Sequence, residues 1–305
     1  MIPYLPRKRV GGSFVLKANA TANTQFQNFS KPTNATMLHF LLVGMGGGGG
    51  TGVIGANSTA AGGGGGGSGS QSSLLIAADL LPDSLYYCLG VGTTAAGFAS
   101  RISIQPDTVT NHCLLIANAG GVGGNAVGST AGAAGAAGTV GGLATSPLAG
   151  MGVPNYLAGQ SGIIGGTNVA GAALTLPVTG LIVTGAPGGG GLPAAAATGT
   201  NGGSFTTPAS YLFPAQPGGV GPSVATNPAG LGADGIFNFN GINYYYGGSG
   251  SSSTHGTATT TGLVQARGGD GAPGCGGGGM GGALTGSTAA TQSKGGSAFC
   301  IVIWW

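Results

Sequence analysis

Glycine recurs at every third position in several parts of this chain, and this spacing limits the fold more than any other feature. The clearest case is segment 132–141, GAAGAAGTVG, where the intervening residues are not glycine. Three residues per turn is the period of the extended polyproline II helix, which forms no internal hydrogen bonds. The same phase recurs at Gly46, Gly49, Gly52 and Gly55, at Gly159, Gly162, Gly165 and Gly171, at Gly185, Gly188 and Gly191, and at Gly268, Gly271, Gly274 and Gly277.

A helix without internal hydrogen bonds must find partners for its backbone on neighbouring segments. Glycine allows the close approach on several sides that such pairing requires. Collagen has the same period, but it needs long unbroken Gly-X-Y repeats with abundant proline, and these blocks are short and interrupted. We therefore predict a bundle of short glycine helices of the polyglycine II type.

The composition favours an ordered, packed chain over a disordered one. Glycine supplies 71 of the 305 residues, yet apolar residues reach 41% and charged residues only 4%. Disordered segments usually combine low hydrophobicity with high charge, which is the opposite balance. We therefore expect the glycine-rich blocks to assemble with apolar strands in one continuous architecture.

Two apolar runs predict strands that frame the molecule and meet each other: 37–45, MLHFLLVGM, and 298–305, AFCIVIWW. Glycine recurs too often for a long α-helix, since it costs about 1 kcal/mol relative to alanine in a helix interior. The predicted fold is mostly β and irregular, with short framing strands, a glycine-rich core of polyglycine or polyproline II-type helices, and few or no α-helices. Further short strands are predicted within 74–81, 85–92, 101–104 and 113–119.

The positive charge is concentrated near the N-terminus. The run Arg7, Lys8 and Arg9 is flanked by prolines, and it either docks onto an acidic partner surface or forms a solvated tail. We divide the chain into an N-terminal basic attachment segment, 1–31, and a glycine-rich domain, 32–305, closed by the C-terminal strand. A net charge of +3 is too small to predict a nucleic-acid partner. No run approaches the roughly 20 apolar residues that span a bilayer, so we predict no membrane insertion.

The sequence offers little material for catalysis or for metal binding. It contains no glutamate, its five aspartates are scattered, and its four cysteines form no CxxC pair. His112 and Cys113 are adjacent, but neighbouring residues of a strand face opposite sides, which disfavours a catalytic dyad. We predict a protein that is not an enzyme, without catalytic residues, cofactors or metal, in which Cys88 and Cys300 are buried thiols.

The order of these segments resembles the glycine-rich domain of bacteriophage tail-fibre, minor tail and adhesin proteins. That family combines a proline-containing lead, a strand and an abrupt glycine run, as in 29–50. A proline turn with a tyrosine-containing strand follows, as in 80–92. Glycine-rich sequence and an apolar strand ending in tryptophan then close the domain, as in 268–282 and 295–305. Residues 143–262 follow no pattern of the family.

The resemblance implies a virion protein, located on the tail or the capsid surface, that binds other virion proteins through its N-terminus. It also implies a homotrimer, by family habit, and a receptor on the bacterial surface. Aromatic residues amid Gly, Asn and Pro in 154–157, 208–217 and 236–246 predict loops that contact either a receptor or another subunit. The contact residues are Tyr211, Phe213, Phe237, Phe239, Tyr244, Tyr245 and Tyr246.

Three functional readings remain open at the level of sequence. The first is a tail-fibre or tail-tip adhesin that contacts the host surface, and the second is a capsid-surface fibre or decoration protein on the same scaffold. The third, of a different class, is an ice-binding or matrix glycine-rich protein. Its strand-forming runs count against an ice-binding protein, and its short repeats count against a matrix protein.

Overall fold

The computed structural model describes residues 11–19, 22–141, 151–177, 180–194, 197–206, 216–224, 227–239, 242–257 and 263–305; within 236–239 and 242–245 it describes the backbone. The described residues contain no helix of seven or more residues, and the predicted mostly β and irregular fold is confirmed. The strands are β1 (Gly12–Lys17), β2 (Gln27–Ser30), β3 (Met37–Val43), β4 (Ile54–Gly55), β5 (Gln71–Ala77), β6 (Ser84–Cys88), β7 (Ser100–Ser103), β8 (Cys113–Ala117), β9 (Val153–Leu157), β10 (Leu174–Thr175), β11 (Phe205–Thr206), β12 (Ile236–Phe239), β13 (Ile242–Tyr245), β14 (Ala283–Leu284) and β15 (Phe299–Trp304). Short 3-10 turns cover Ala78–Leu80 and Thr110–His112.

Two antiparallel sheets form a sandwich around the main hydrophobic core. The five-stranded sheet has the order β1-β15-β3-β5-β9, and the four-stranded sheet has the order β2-β6-β7-β8. The two framing strands meet as predicted, because β15 pairs with β3. The core takes alternate residues of the strands, as expected where one face of a sheet is buried. Its fully buried members include Leu38, Phe40, Leu42, Leu74, Ile76, Leu85, Ile102 and Leu115.

The strands continue directly into glycine helices without a change of partner or register. The last residue pair of β3 and β5 is Val43 with Gln71. Beyond it, segment 44–53 runs antiparallel to segment 60–70, and the hydrogen bonds now fall on every third residue instead of every second. These backbone N–H to carbonyl bonds join Gly44 to Ser70, Gly47 to Gly67, Gly50 to Gly64 and Val53 to Ala61, at 2.8–2.9 Å.

Segment 60–70, the central glycine segment, is hydrogen-bonded to six neighbouring segments. Its N–H groups point in three directions in turn, toward 160–166, 274–280 and 118–124. Its carbonyl groups accept from three other segments, 44–50, 132–138 and 186–192. The donors to 160–166 are Gly62, Gly65 and Ser68, those to 274–280 are Gly63, Gly66 and Gly69, and those to 118–124 are Gly64, Gly67 and Ser70. This is the close packing that the period of three predicts.

Side-chain size controls where the sandwich becomes a bundle. Leu74 and Ile76 hold the two sheets apart, since stacked sheets with large side chains lie roughly 10 Å apart. Two residues before Leu74, the Ser72 hydroxyl already donates to the Ile116 carbonyl at 2.6 Å. At Ser70 the backbone N–H reaches the Asn118 carbonyl at 2.9 Å. The layers therefore converge as Leu and Ile give way to Ser and then to Gly.

The outer glycine helices carry glycine only where they face the bundle. In segment 132–138 the glycines at 132, 135 and 138 are buried, whereas Ala133, Ala134 and Ala136 are exposed. Each of the three glycines donates its N–H to the central glycine segment. The outward methyl groups keep another backbone at a distance, so the bundle is bounded on this side.

The structure changes two local expectations and adds one fact about the N-terminal segment. Residues 154–157, predicted as a loop, belong to the edge strand β9; Pro154 is tolerated there because an edge strand leaves one side unpaired. Residues 236–239 and 242–245, also assigned to a loop, form the antiparallel pair β12 and β13. Strands β1 and β2, from segment 1–31, pair with β15 and β6. The boundary at residue 31 stays a prediction.

Candidate functional site

Most of the predicted contact residues lie outside the part of the chain whose side chains are described. Arg7, Lys8 and Arg9 precede the first described residue, and Tyr211 and Phe213 fall between 206 and 216. Phe237, Phe239, Tyr244 and Tyr245 belong to the backbone pair β12 and β13, with Phe237 opposite Tyr244 and Ile236 opposite Tyr245. The sequence cluster is therefore brought together by one hairpin-like pair.

Tyr246 is the predicted contact residue whose side chain the structure describes, and it lies inside the molecule. It is 5% exposed, and its ring packs against Phe205 with a centroid distance of 5.9 Å. Leu174 and Leu176 complete this small apolar cluster. The Tyr246 N–H donates to the Gly235 carbonyl at 2.8 Å, which closes the base of β12 and β13. Tyr246 thus anchors the pair to the bundle and offers no exposed ring.

The four cysteines are free and buried, which confirms the interpretation of Cys88 and Cys300 as buried thiols. Loss of water around the sulfur raises the pKa of Cys113 to about 11 and that of Cys275 to about 12. The Cys113 thiol donates to the Leu115 carbonyl at 3.2 Å. His112 instead bonds Asp107 through Nδ1 at 2.8 Å. These two neighbours thus have separate partners, and a thiol with this pKa is protonated at neutral pH.

The carboxylates of Asp107, Asp234 and Asp270 accept hydrogen bonds from backbone N–H groups. Asp270 pairs with Arg267, and its Oδ1 accepts from the Lys294 N–H at 2.7 Å. The Asp270 N–H in turn donates to Asp234 Oδ1 at 2.8 Å. Lys31 lies 3.3 Å from Asp83 and donates to the carbonyls of Ala78 and Leu81. Among the described residues no group of three or more His, Cys, Asp or Glu side chains could hold a metal ion.

A groove on the four-stranded sheet is a feature that the sequence reasoning missed. It measures about 500 Å³ and lies between the start of β2 and β6, with Pro106 on a third side. Asn28 lies opposite Tyr86 in the strand register, and Gln27 lies opposite Tyr87. The available signal was the two amide residues between phenylalanines in 26–29, FQNF, together with the adjacent tyrosines at 86 and 87. These residues form a groove only because β2 pairs with β6.

Two further grooves have different linings. One, of about 400 Å³, is mainly apolar and lies beside the edge strand β1, between Val15, Lys17, Pro273 and Phe299. The other, of about 550 Å³, contains the Arg267 and Asp270 pair together with Thr94, Gln292 and Lys294. In the latter, Asp270 already neutralises one of the two cations.

Neither a family model nor a curated protein matches this sequence. Across the described residues, no helix has the length and apolar character needed to cross a membrane.

Proposed function

We propose that this chain is a structural protein of a bacteriophage virion, most simply a tail-fibre or tail-tip adhesin that contacts the host surface. One observation carries the proposal: the separate segments that resemble the phage glycine-rich domain come together in space. Strand β3 pairs with β15, and the glycine run after β3 bonds to 277–280 and to 293–296. Strand β6, from the proline-turn segment, belongs to the facing sheet.

The architecture also suits a protein that carries mechanical load and catalyses no reaction. Strands and glycine helices share one register, so the backbone hydrogen bonds run along the molecule without a break at their junction. At the far end from the sheets, the turns of the bundle are tied to one another. Ile54 pairs with Ala283, the Ser58 N–H donates to the Pro193 carbonyl at 3.3 Å, and Val264 bridges to Thr288.

The location of the chain on the particle tests this proposal. An antibody or a fused density tag, imaged by electron microscopy, gives both position and copy number. Density at a tail fibre or tail tip supports the adhesin. A regular lattice over the shell supports the capsid decoration protein, and absence from purified particles contradicts both.

The proposed attachment of the N-terminus is tested by replacing Arg7, Lys8 and Arg9 with serine. Strand β1 begins only at Gly12, so these substitutions leave its pairing with β15 untouched. We expect the variant to fold normally but to be lost from particles. Normal incorporation contradicts docking through these cations. The serine replacement of Lys17, a cation within β1, serves as the matched control.

Receptor contact through the aromatic pair of strands is tested with Tyr244→Ala and Tyr245→Ala together. Tyr246 is kept, because its buried ring packs on Phe205 and its loss would disturb folding. Lost attachment to host cells by intact particles supports recognition. Failed assembly supports a contact between subunits, and mass photometry of the purified chain shows whether it forms the proposed homotrimer.

A further inference from the structure

The groove between β2 and β6 combines aromatic rings with amide groups. Asn28 and Tyr86 share one side of the sheet, because they lie opposite each other in the strand register, and Phe26, just before β2, lines the same groove. Phe26 and Tyr86 are half-buried, whereas Asn28 is exposed. The groove therefore presents partly covered rings next to an amide that reaches solvent.

A second amide is held in place by its neighbour. The Tyr87 hydroxyl donates to Gln27 Oε1, and the Tyr87 ring packs against Phe29 with a centroid distance of 6.1 Å. Gln27 alternates with Asn28 along β2 and therefore lies on the other side of the strand, with Phe29, where Tyr87 engages its amide oxygen. Asn28 is the amide beside Tyr86, and it offers both a donor and an acceptor. It can bond to neighbouring hydroxyl groups of one ligand.

The lining favours a neutral ligand. Its six residues are Phe26, Gln27, Asn28, Tyr86, Tyr87 and Pro106, and none of them is charged. The nearest carboxylate along the chain, Asp107, is bonded to His112 Nδ1 and also accepts from the Val109 N–H. An anion would find no cation among the lining groups. A purely apolar ligand would leave the Asn28 amide without partners, which costs binding energy.

We propose that this groove binds a neutral saccharide. An apolar face of a pyranose ring packs on Tyr86 and Phe26, while its hydroxyl groups bond to the Asn28 amide. The groove volume of about 500 Å³ falls within the usual range for small-ligand sites, roughly 300–1,000 Å³. The inference deepens the proposed adhesin function by naming a ligand class, and it places that ligand on the sandwich rather than on the aromatic pair β12 and β13.

The test uses the purified full chain and saturation-transfer NMR. The probes are neutral trisaccharides of glucose, galactose, mannose, rhamnose and N-acetylglucosamine. We expect at least one of them to bind, with a Kd of about 1 mM, as for a shallow site that buries one or two rings. Failure of all five to bind overturns the proposal.

Variants separate this groove from other binding. Tyr86→Leu keeps apolar volume but removes the ring face, and we expect binding to weaken by about tenfold. Tyr86→Phe keeps the ring and should bind within about twofold of the parent chain. Gln292→Ala, an amide in the groove beside Arg267, is the matched control and should leave the Kd unchanged. If Tyr86→Leu does not fold, Asn28→Ala at an exposed position takes its place.

Unchanged binding by both Tyr86→Leu and Asn28→Ala contradicts the assignment, since the saccharide would then lie elsewhere. The measurement requires no virion, so its outcome is separate from the position of the chain on the particle. If the chain binds a saccharide but is absent from particles, the assignment of the groove stands and only the proposed virion function is overturned.

Discussion

The sandwich and the glycine bundle are continuous, because the pairing of β3 with β5 carries on without a shift into that of 44–53 with 60–70. The two parts are nevertheless stabilised by different interactions. The sandwich buries large side chains such as Phe40 and Leu74 between two sheets. The bundle buries backbone, with segments such as 60–70 bonded on six sides. The first depends on removing apolar surface from water, and the second on close backbone contact in which each N–H from 61 to 70 donates to a neighbouring carbonyl. Between Leu74, Ser72 and Gly69 the main stabilising interaction therefore changes from burial of apolar side chains to backbone hydrogen bonding.

The difference predicts opposite tolerances to mutation. A buried side chain that is made smaller leaves a cavity, which nearby residues fill only in part. A buried glycine that is made larger meets backbone, which cannot rotate away as a side chain can. Ordering glycine also costs more backbone entropy than ordering alanine. The bundle must therefore recover that cost through many cooperative hydrogen bonds, each worth about 1 kcal/mol net.

The largest effect is expected for Gly65→Ala in the central glycine segment. An added Cβ would overlap the backbone carbonyl oxygen of Ala186, so the two helices must separate and lose bonds on both sides. We expect a loss of more than about 4 kcal/mol in unfolding free energy, or no folded protein. Gly55→Ala is the control, since the nearest atom to its Cβ would lie 3.5 Å away. Chemical denaturation followed by circular dichroism measures the unfolding free energy of both variants. Equal values would contradict the proposed intolerance of the bundle to added side chains.

Phe40→Ala should weaken the sandwich by about 3–5 kcal/mol, because it removes a fully buried ring from the main core. The half-exposed Val15→Ala on β1 is the control and should change stability by less than about 1 kcal/mol. Hydrogen exchange in the same variant tests whether the bundle and the sandwich unfold independently. If the bundle is an independent unit, the amides of 60–70 remain protected in Phe40→Ala; faster exchange throughout would show that the two halves unfold together.

Ser251→Ala tests the buried serines that stand among the glycines. The Ser251 hydroxyl accepts from the Gly281 N–H at 2.8 Å and donates to the Ala266 carbonyl at 2.7 Å. Alanine would leave both buried groups unmatched, and we expect a loss of about 2 kcal/mol. The exposed Ser129→Ala should be neutral by the same denaturation assay. A neutral result for Ser251→Ala would mean that the bundle relaxes to pair these groups.

The smallest effect near neutral pH is that of the Cys275 thiol, since it begins only above about pH 9. The pKa of Cys275 is raised by burial from 9.0 to about 12, so the unfolded chain loses this proton before the folded chain does. Stability is therefore full below about pH 9 and falls between pH 9 and 12, by roughly 1 kcal/mol per pH unit for such a thiol. Cys275→Ala should make this fall less steep in denaturation curves, and the part that remains comes from other buried thiols such as Cys113. A slope identical to that of the parent chain would contradict the assignment.

Part of the site could be anticipated from the sequence, and part could not. The cluster within 236–246 was identified from its aromatic residues, yet nothing in the local sequence indicates that Tyr246 is buried. Its burial depends on Phe205, which is far away along the chain. Asn28 and Tyr86 were missed for the same reason, since their juxtaposition depends on the pairing of β2 with β6.

The sequence by itself determined the kind of local structure. Apolar runs specify the strands, and the period of three specifies the glycine helix, because both follow from side chains within a few residues. The tertiary structure alone decided which glycine helices are neighbours and in which direction they run. A glycine helix presents the same backbone groups on all sides and has no side chains to select a partner. Its register comes from the strands beside it, as the pairing of β3 with β5 sets that of 44–53 with 60–70.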